Sequence, residues 1–175
     1  MANKQALREL QSRLAERLQA ARTEAQSISW LAVECSGHGF LLPLKEAGEI
    51  FALTPILAVP HSHRWFLGVA NLRGHLHGVV DLAEFLGVKA SAGSEAGREQ
   101  SRLVGFNDSL GINCVLMVDR LSGLRSEDQL TREADAGSAR PAFAGARLRD
   151  AAGRRWQELN LAALAGDETF LKIVG

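Results

Sequence analysis

The chain has no tyrosine, and aromatic residues make up only 6% of its 175 residues. A surface that grips single-stranded nucleic acid needs stacking rings beside a basic stripe. The stripe is missing too, because 20 lysines and arginines are matched by 20 aspartates and glutamates. The match holds along the chain, with 9 basic and 8 acidic residues up to position 90 and 11 and 12 beyond it. Affinity drawn from neutralising phosphates requires uncompensated cations on one surface. Nucleic acid is therefore not expected as a partner, and an oligonucleotide-binding barrel, which short strands and glycines alone would permit, loses its support. Cysteine is scarce as well. Cys35 and Cys114 both lie in apolar runs, and two cysteines in a chain of this length make no disulfide framework, so both are expected as reduced core residues. No run approaches the ~18 apolar residues of a membrane span. The N-terminus also lacks the apolar stretch and cleavage site of a secretory signal. A soluble, cytoplasmic protein without direct membrane insertion is the expectation.

What is present is apolar in short pieces. Hydrophobic residues make up 46% of the chain, enough to bury the core of one domain or of two small intertwined ones. Leu7, Leu10, Leu14, Leu18 and Ala21 recur at spacings of three and four with charged residues between them, which predicts an amphipathic helix over 7–22. Its stripe is one leucine wide, suited to docking on the body of the protein or to pairing with another helix; docking is the expectation. Ile28 to Cys35 reads as a strand, with Gly37 and Gly39 around His38 as its turn. Phe40 to Leu44 is the returning strand, which Pro43 makes an edge or irregular one. Between Ile50 and Leu86 apolar runs are cut by Pro55, Pro60, Gly68, Gly74 and Gly78, so short strands and tight corners follow. Alternation puts Leu76, Gly78 and Val80 on one strand face and His75, His77, Val79 and Asp81 on the other. Asp81 is placed to cap a short helical turn over 82–86 that Gly87 ends. Residues 89–100, almost all small or charged, read as a flexible connection. Two strands follow around a turn at 107–111, then a polar loop over 126–140, a last hairpin around 150–153 and a short closing helix over 161–165. Segments 1–27, 28–170 and 171–175 thus read as leading helix, β body and tail.

Four histidines in two H-x-H pairs, His61 and His63, His75 and His77, carry the loudest chemical signal. A zinc site needs three or four such ligands converging, and no predicted element brings the pairs together, so metal binding stands only as the alternative. No serine or cysteine lies in a nucleophile elbow, and no phosphate-cradling glycine pattern is present. Neither catalysis nor a cofactor is expected. Glu46, Glu49, Asp81 and Glu84 could form a carboxylate pair but read more simply as solvated or ion-paired groups. Trp65 to Gly74 runs from large apolar residues into an asparagine and an arginine between glycines. Arg73 calls for a carboxylate if its strand is packed, and Glu49 is the candidate, because a guanidinium and a carboxylate pair bidentately; the alternative is an exposed arginine.

The motif Gly68-Val69-Ala70-Asn71-Leu72-Arg73-Gly74, continuing through Val79-Val80-Asp81-Leu82 to Leu86-Gly87, resembles the signature of the CheW-like chemotaxis adaptor family. Leu116-Met117-Val118-Asp119-Arg120-Leu121-Ser122-Gly123-Leu124 is similar to a later block of the same family, in the family's order and separation. Together the likeness spans 29–170. Trp30-Leu31-Ala32-Val33-Glu34, Leu41-Leu42-Pro43-Leu44, the leading helix and Trp156-Gln157-Glu158-Leu159-Asn160-Leu161 look most like the branch found in type IV pilus chemosensory systems. The resemblance implies a mainly β fold of two intertwined five-stranded SH3-like barrels sharing one seam, without an active site. It implies two partners: the regulatory domain of a CheA-like histidine kinase and the cytoplasmic tip of a methyl-accepting chemoreceptor. By motif position Gly68, Asn71, Arg73 and Gly74 are its receptor-side residues, with Glu49 as the supporting partner of Arg73. Where many relatives have proline this chain has Gly78, which implies a more mobile edge there.

Overall fold

The computed structural model describes residues 2–88, 95–135 and 137–175. It contains two sheets and a leading helix. The helix α1 spans Ala2–Ser27. It continues past the predicted end because residues 23–27 contain neither glycine nor proline to stop it. The expected docking is not found. Leu7, Leu10, Leu14 and Leu18 are 57%, 64%, 60% and 59% exposed.

Strands β1 (Ile28–Cys35), β2 (His38–Pro43), β8 (Arg120–Ser126), β9 (Leu130–Arg132), β10 (Ala144–Asp150) and β11 (Arg155–Leu159) form one sheet in the order β8-β1-β2-β11-β10-β9. Strands β3 (Ala47–Ala52), β4 (Phe66–Leu72), β5 (His75–Asp81), β6 (Arg102–Phe106) and β7 (Cys114–Val118) form the second, in the order β3-β6-β7-β5-β4. The first sheet is thus built from both ends of the β body and encloses the second in sequence, which is the intertwining expected. It has six strands rather than five, because the segment read as a polar loop contributes β9. The Pro43 strand is no edge. β2 lies between β1 and β11, with Pro43 at its last position opposite Trp30, where a missing N–H interrupts the ladder least. The β1–β2 turn is made by Ser36 and Gly37, both at positive φ, and His38 already belongs to β2.

Both faces of the central strands are buried, which explains why they read as continuous apolar runs. Leu31, Val33 and Cys35 face a core shared with Phe40, Leu42, Phe66, Val80, Val104, Phe106, Leu116 and Phe170, while Trp30, Ala32 and Leu41 turn to a second cluster with Leu148 and Trp156. In the other sheet Leu103, Val79 and Val115 face a third cluster with Ala70 and Leu72. The period of two sends alternate residues of one strand to different cores. The shared core is the seam between the sheets. Helices α2 (Leu82–Phe85), α3 (Leu161–Ala165) and α4 (Glu168–Leu171) seat Leu82, Leu161, Leu164 and Phe170 in it. Asp81 caps α2 by accepting the Glu84 N–H at 3.2 Å. Of the predicted connection 89–100, residues 89–94 lie outside the described residues, and Glu95–Gln100 form a 3₁₀ helix rather than an open linker. The segment after α4 is pinned back, with the His63 N–H donating to the Ile173 carbonyl at 2.9 Å and the Gly175 N–H to His61 at 3.1 Å.

Candidate partner-binding surface

β4 is an edge of its sheet and pairs with β5 in a hairpin whose register sets Asn71 opposite Leu76 and Leu72 opposite His75. Only Arg73 and Gly74 remain for the turn, with φ of 52° and 84°. Positive φ at both central residues is the type I′ form of a two-residue hairpin turn, whose twist matches that of its strands. Gly74 adopts it freely, whereas an arginine there is strained by roughly 1–2 kcal/mol. The turn is held from both sides. Asn71 Oδ1 accepts the Gly74 N–H at 2.9 Å, and Arg73 Nη2 lies 2.5 Å from Glu49 Oε1 on β3. The Arg73 side chain is still 75% exposed. Ile50 beside Glu49, Leu57 and Leu76 are exposed apolar residues of the same sheet region.

Gly68 is different from its motif neighbours. It is buried, its φ is 136°, and a Cβ there would meet the Leu57 carbonyl oxygen at 2.0 Å. That close approach allows Leu57 and Val69 to exchange two backbone hydrogen bonds, of 2.8 and 2.9 Å. Gly68 therefore shapes the surface from beneath, presenting Leu57, and offers no atoms of its own to a partner. Gly78 is not on a mobile edge: β5 lies between β7 and β4, the Gly78 N–H donates to the Asn113 carbonyl at 3.0 Å, and a Cβ would meet the Phe66 ring at 2.9 Å.

The four histidines do not converge, and among the described residues no group of three or more His, Cys, Asp and Glu could hold a metal ion. His63 stacks on Trp65 at 5.5 Å beside the pinned C-terminal segment. His75 and His77 line a cleft of about 420 Å³ with Glu49, Phe51, Arg73 and Asp108. The β4–β5 hairpin sets His75 at its tip, while His61 and His63 precede its base. Three of the four carboxylates have separate roles. Glu46 accepts the Leu161 N–H at 2.8 Å, Glu49 pairs with Arg73, and Asp81 caps α2. Burial pushes both thiols up to about 12, which keeps Cys35 and Cys114 protonated and inert.

One charged cluster was not anticipated. Glu34 is buried in β1 and ion-pairs with both Arg120 and Arg154. The hydrogen bond from Arg120, opposed by burial and reinforced by Arg154, holds its carboxyl below the usual 4.5. Arg154 also lies over the Trp156 ring at 4.6 Å. Next to Arg120, Asp119 accepts the Ser36 N–H at 2.6 Å. The Val118-Asp119-Arg120 block thus braces the β1–β2 hairpin. An acid alone in an apolar strand was the available signal, since a buried carboxylate demands a cation.

The described residues thus form interleaved sheets on one seam, with an edge hairpin presenting an exposed arginine. The chain belongs to the family defined by the CheW-like domain, which matches residues 29–169. Over 113 residues it is 33% identical to Protein PilI of Pseudomonas aeruginosa, covering 65% of this chain and 61% of that protein. Over 59 residues it is 39% identical to a probable chemotaxis protein CheW of Rhizobium etli, covering 34% of this chain and 38% of that one. Each match spans less than two thirds of the relative's length. Scaffolding protein TtCheW from Thermoanaerobacter tengcongensis has the same fold, with a TM-score of 0.62 at 18% identity over 76% of this chain and 88% of that chain. No described helix is long and apolar enough to cross a membrane.

Proposed function

We propose that this protein couples a chemoreceptor to a CheA-like histidine kinase in a pathway controlling type IV pilus motility, with the tip of the β4–β5 hairpin as its receptor-side contact. One observation carries the hairpin assignment: an exposed arginine occupies a left-handed turn position where glycine or asparagine would be less strained, and a carboxylate aims it. Strain retained at an exposed position is a pointer to function. Asn71 and Gly74 fix the turn, Gly68 seats the strand, and the exposed Leu57 and Leu76 offer apolar area beside the charge. The assignment to the pilus pathway is supported by the likeness to Protein PilI. Recruitment to membrane-associated receptor arrays would follow from the partners, without insertion.

The mechanism is linkage. An adaptor that touches both partners alters kinase activity only by binding one kinase state better than another, and couplings of ~1–3 kcal/mol produce a several-fold to hundredfold response. The test is calorimetric titration against the isolated regulatory domain of the CheA-like kinase from the same organism, followed by kinase assays in a reconstituted receptor array. Saturable one-to-one binding is expected, with Arg73→Ala and Arg73→Asn folding normally, binding the kinase normally and losing receptor coupling. Normal coupling by both variants would sink the hairpin assignment; no binding to any such kinase would sink the adaptor reading. Loss of twitching with retained swimming in a strain lacking the protein is the outcome expected for the pilus pathway.

A further inference from the structure

We infer that α1 is a docking helix for a single α-helix of another protein, one whose apolar stripe is bordered by glutamate or aspartate. Three observations converge. Leu7, Leu10, Leu14 and Leu18, followed by Ala21, are spaced so that the pattern repeats after 11 residues. That period keeps a stripe on one side of a nearly straight helix. All four leucines are more than half exposed, with the body covering none of them. Finally, the charges are sorted. At about 100° per residue, Lys4 and Arg22 fall along one border of the stripe and Arg13 and Arg17 along the other, which Glu24 joins only beyond the last leucine, while Arg8 lies further round and Glu9 and Glu16 fall on the back; the charged residues from Lys4 to Arg22 are all exposed.

This sorting selects the occupant. A second copy of α1 would set arginine border against arginine border in both the parallel and the antiparallel arrangement, and like charges across a helix pair repel. A helix lying on lipid buries a broad apolar face, commonly with tryptophan or phenylalanine. Here the face is one leucine wide, and no aromatic residue occurs in 2–27. A helix with matching leucines and acidic borders satisfies both the stripe and the charges. Leu7 to Leu18 gives it a seam of about 16 Å at ~1.5 Å per residue.

The probe is a synthetic charge-inverted copy of residues 2–27, in which every lysine and arginine is replaced by glutamate and every glutamate by lysine, titrated against the full-length protein by fluorescence anisotropy. Saturable binding is expected, at least tenfold tighter than for the native-charge copy and weakened by added salt. The double variant Leu10→Ala/Leu14→Ala should lose at least tenfold, and Arg13→Glu/Arg17→Glu, which inverts one border and leaves the other basic, should erase most of the preference between the two peptides. Both variants alter exposed residues only, and circular dichroism checks that they fold. Arg73→Ala should bind the probe unchanged, which separates this site from the hairpin. Equal or tighter binding of the native-charge copy, or dimerisation of the chain in sedimentation, would overturn the inference in favour of a second copy. Co-sedimentation with vesicles containing phosphatidylserine, without discrimination between the peptides, would overturn it in favour of a membrane surface. Failure of the inverted copy to bind would overturn it outright.

Discussion

At the scale of single residues, the hairpin separates two kinds of motif position. Gly68→Ala places a Cβ against the Leu57 carbonyl at a φ that side chains rarely adopt, and is expected to destabilise the fold by about 2–4 kcal/mol, read from the midpoint of urea unfolding. Arg73→Asn removes an exposed ion pair, worth about 0–1 kcal/mol, and relaxes the turn, so its midpoint should stay within about 1 kcal/mol of the parent. Glu34 supplies the pH prediction. Because its carboxyl is held below 4.5 by the two arginines, its contribution is complete above that pH and fades as pH falls through the lowered folded-state value. Glu34→Gln should therefore lose about 1–3 kcal/mol at neutral pH, a gap that narrows below pH 4.5 when denaturant curves of the two proteins are compared. The Glu49–Arg73 pair was legible in the sequence, since an arginine between glycines with an acid on the preceding strand leaves few choices. The histidine pairs misled because H-x-H spacing says nothing of whether a turn carries two pairs together or apart. Glu34 was passed over because its arginines lie far along the chain, and only the sheet register of β1 against β8 and the last hairpin turn bring them near.

At the scale of elements, strands with two buried faces were legible as apolar runs, and the helix as a leucine spacing. β8 and β9 were not. β8 contains Gly123 and polar residues with no alternation, and β9 is three residues long; both exist because neighbouring backbones supply partners, a tertiary effect that local composition does not carry. Docking of α1 was the wrong expectation for a related reason, since a stripe records that something apolar is sought and not whether it lies in the same chain. Removing residues 1–22 should leave the body intact. The expected result is loss of helical signal in far-ultraviolet circular dichroism with a melting midpoint unchanged within about 2 °C, less than the shift of ~1 kcal/mol.

At the scale of the whole molecule, the seam makes the two sheets one cooperative unit, because Leu31, Val33 and Leu42 from one and Val80, Val104 and Leu116 from the other share a core. The three tryptophans allow a test. Trp30 and Trp156 belong to the cluster of the six-stranded sheet, while Trp65 packs at the seam. Denaturation followed by fluorescence of a Trp65→Phe variant and by circular dichroism should give coincident transitions; separated midpoints would mean that the sheets unfold independently. The interleaved order also bears on how the chain is born. When Val118 has left the ribosome every strand of the five-stranded sheet is available, but β1 and β2 still lack β8 and β11, the neighbours that flank them in the finished sheet. During synthesis the nascent protein thus carries an open, apolar hairpin ahead of a completed sheet. This is the interval in which β-edge aggregation threatens the chain most and a chaperone has most to cover.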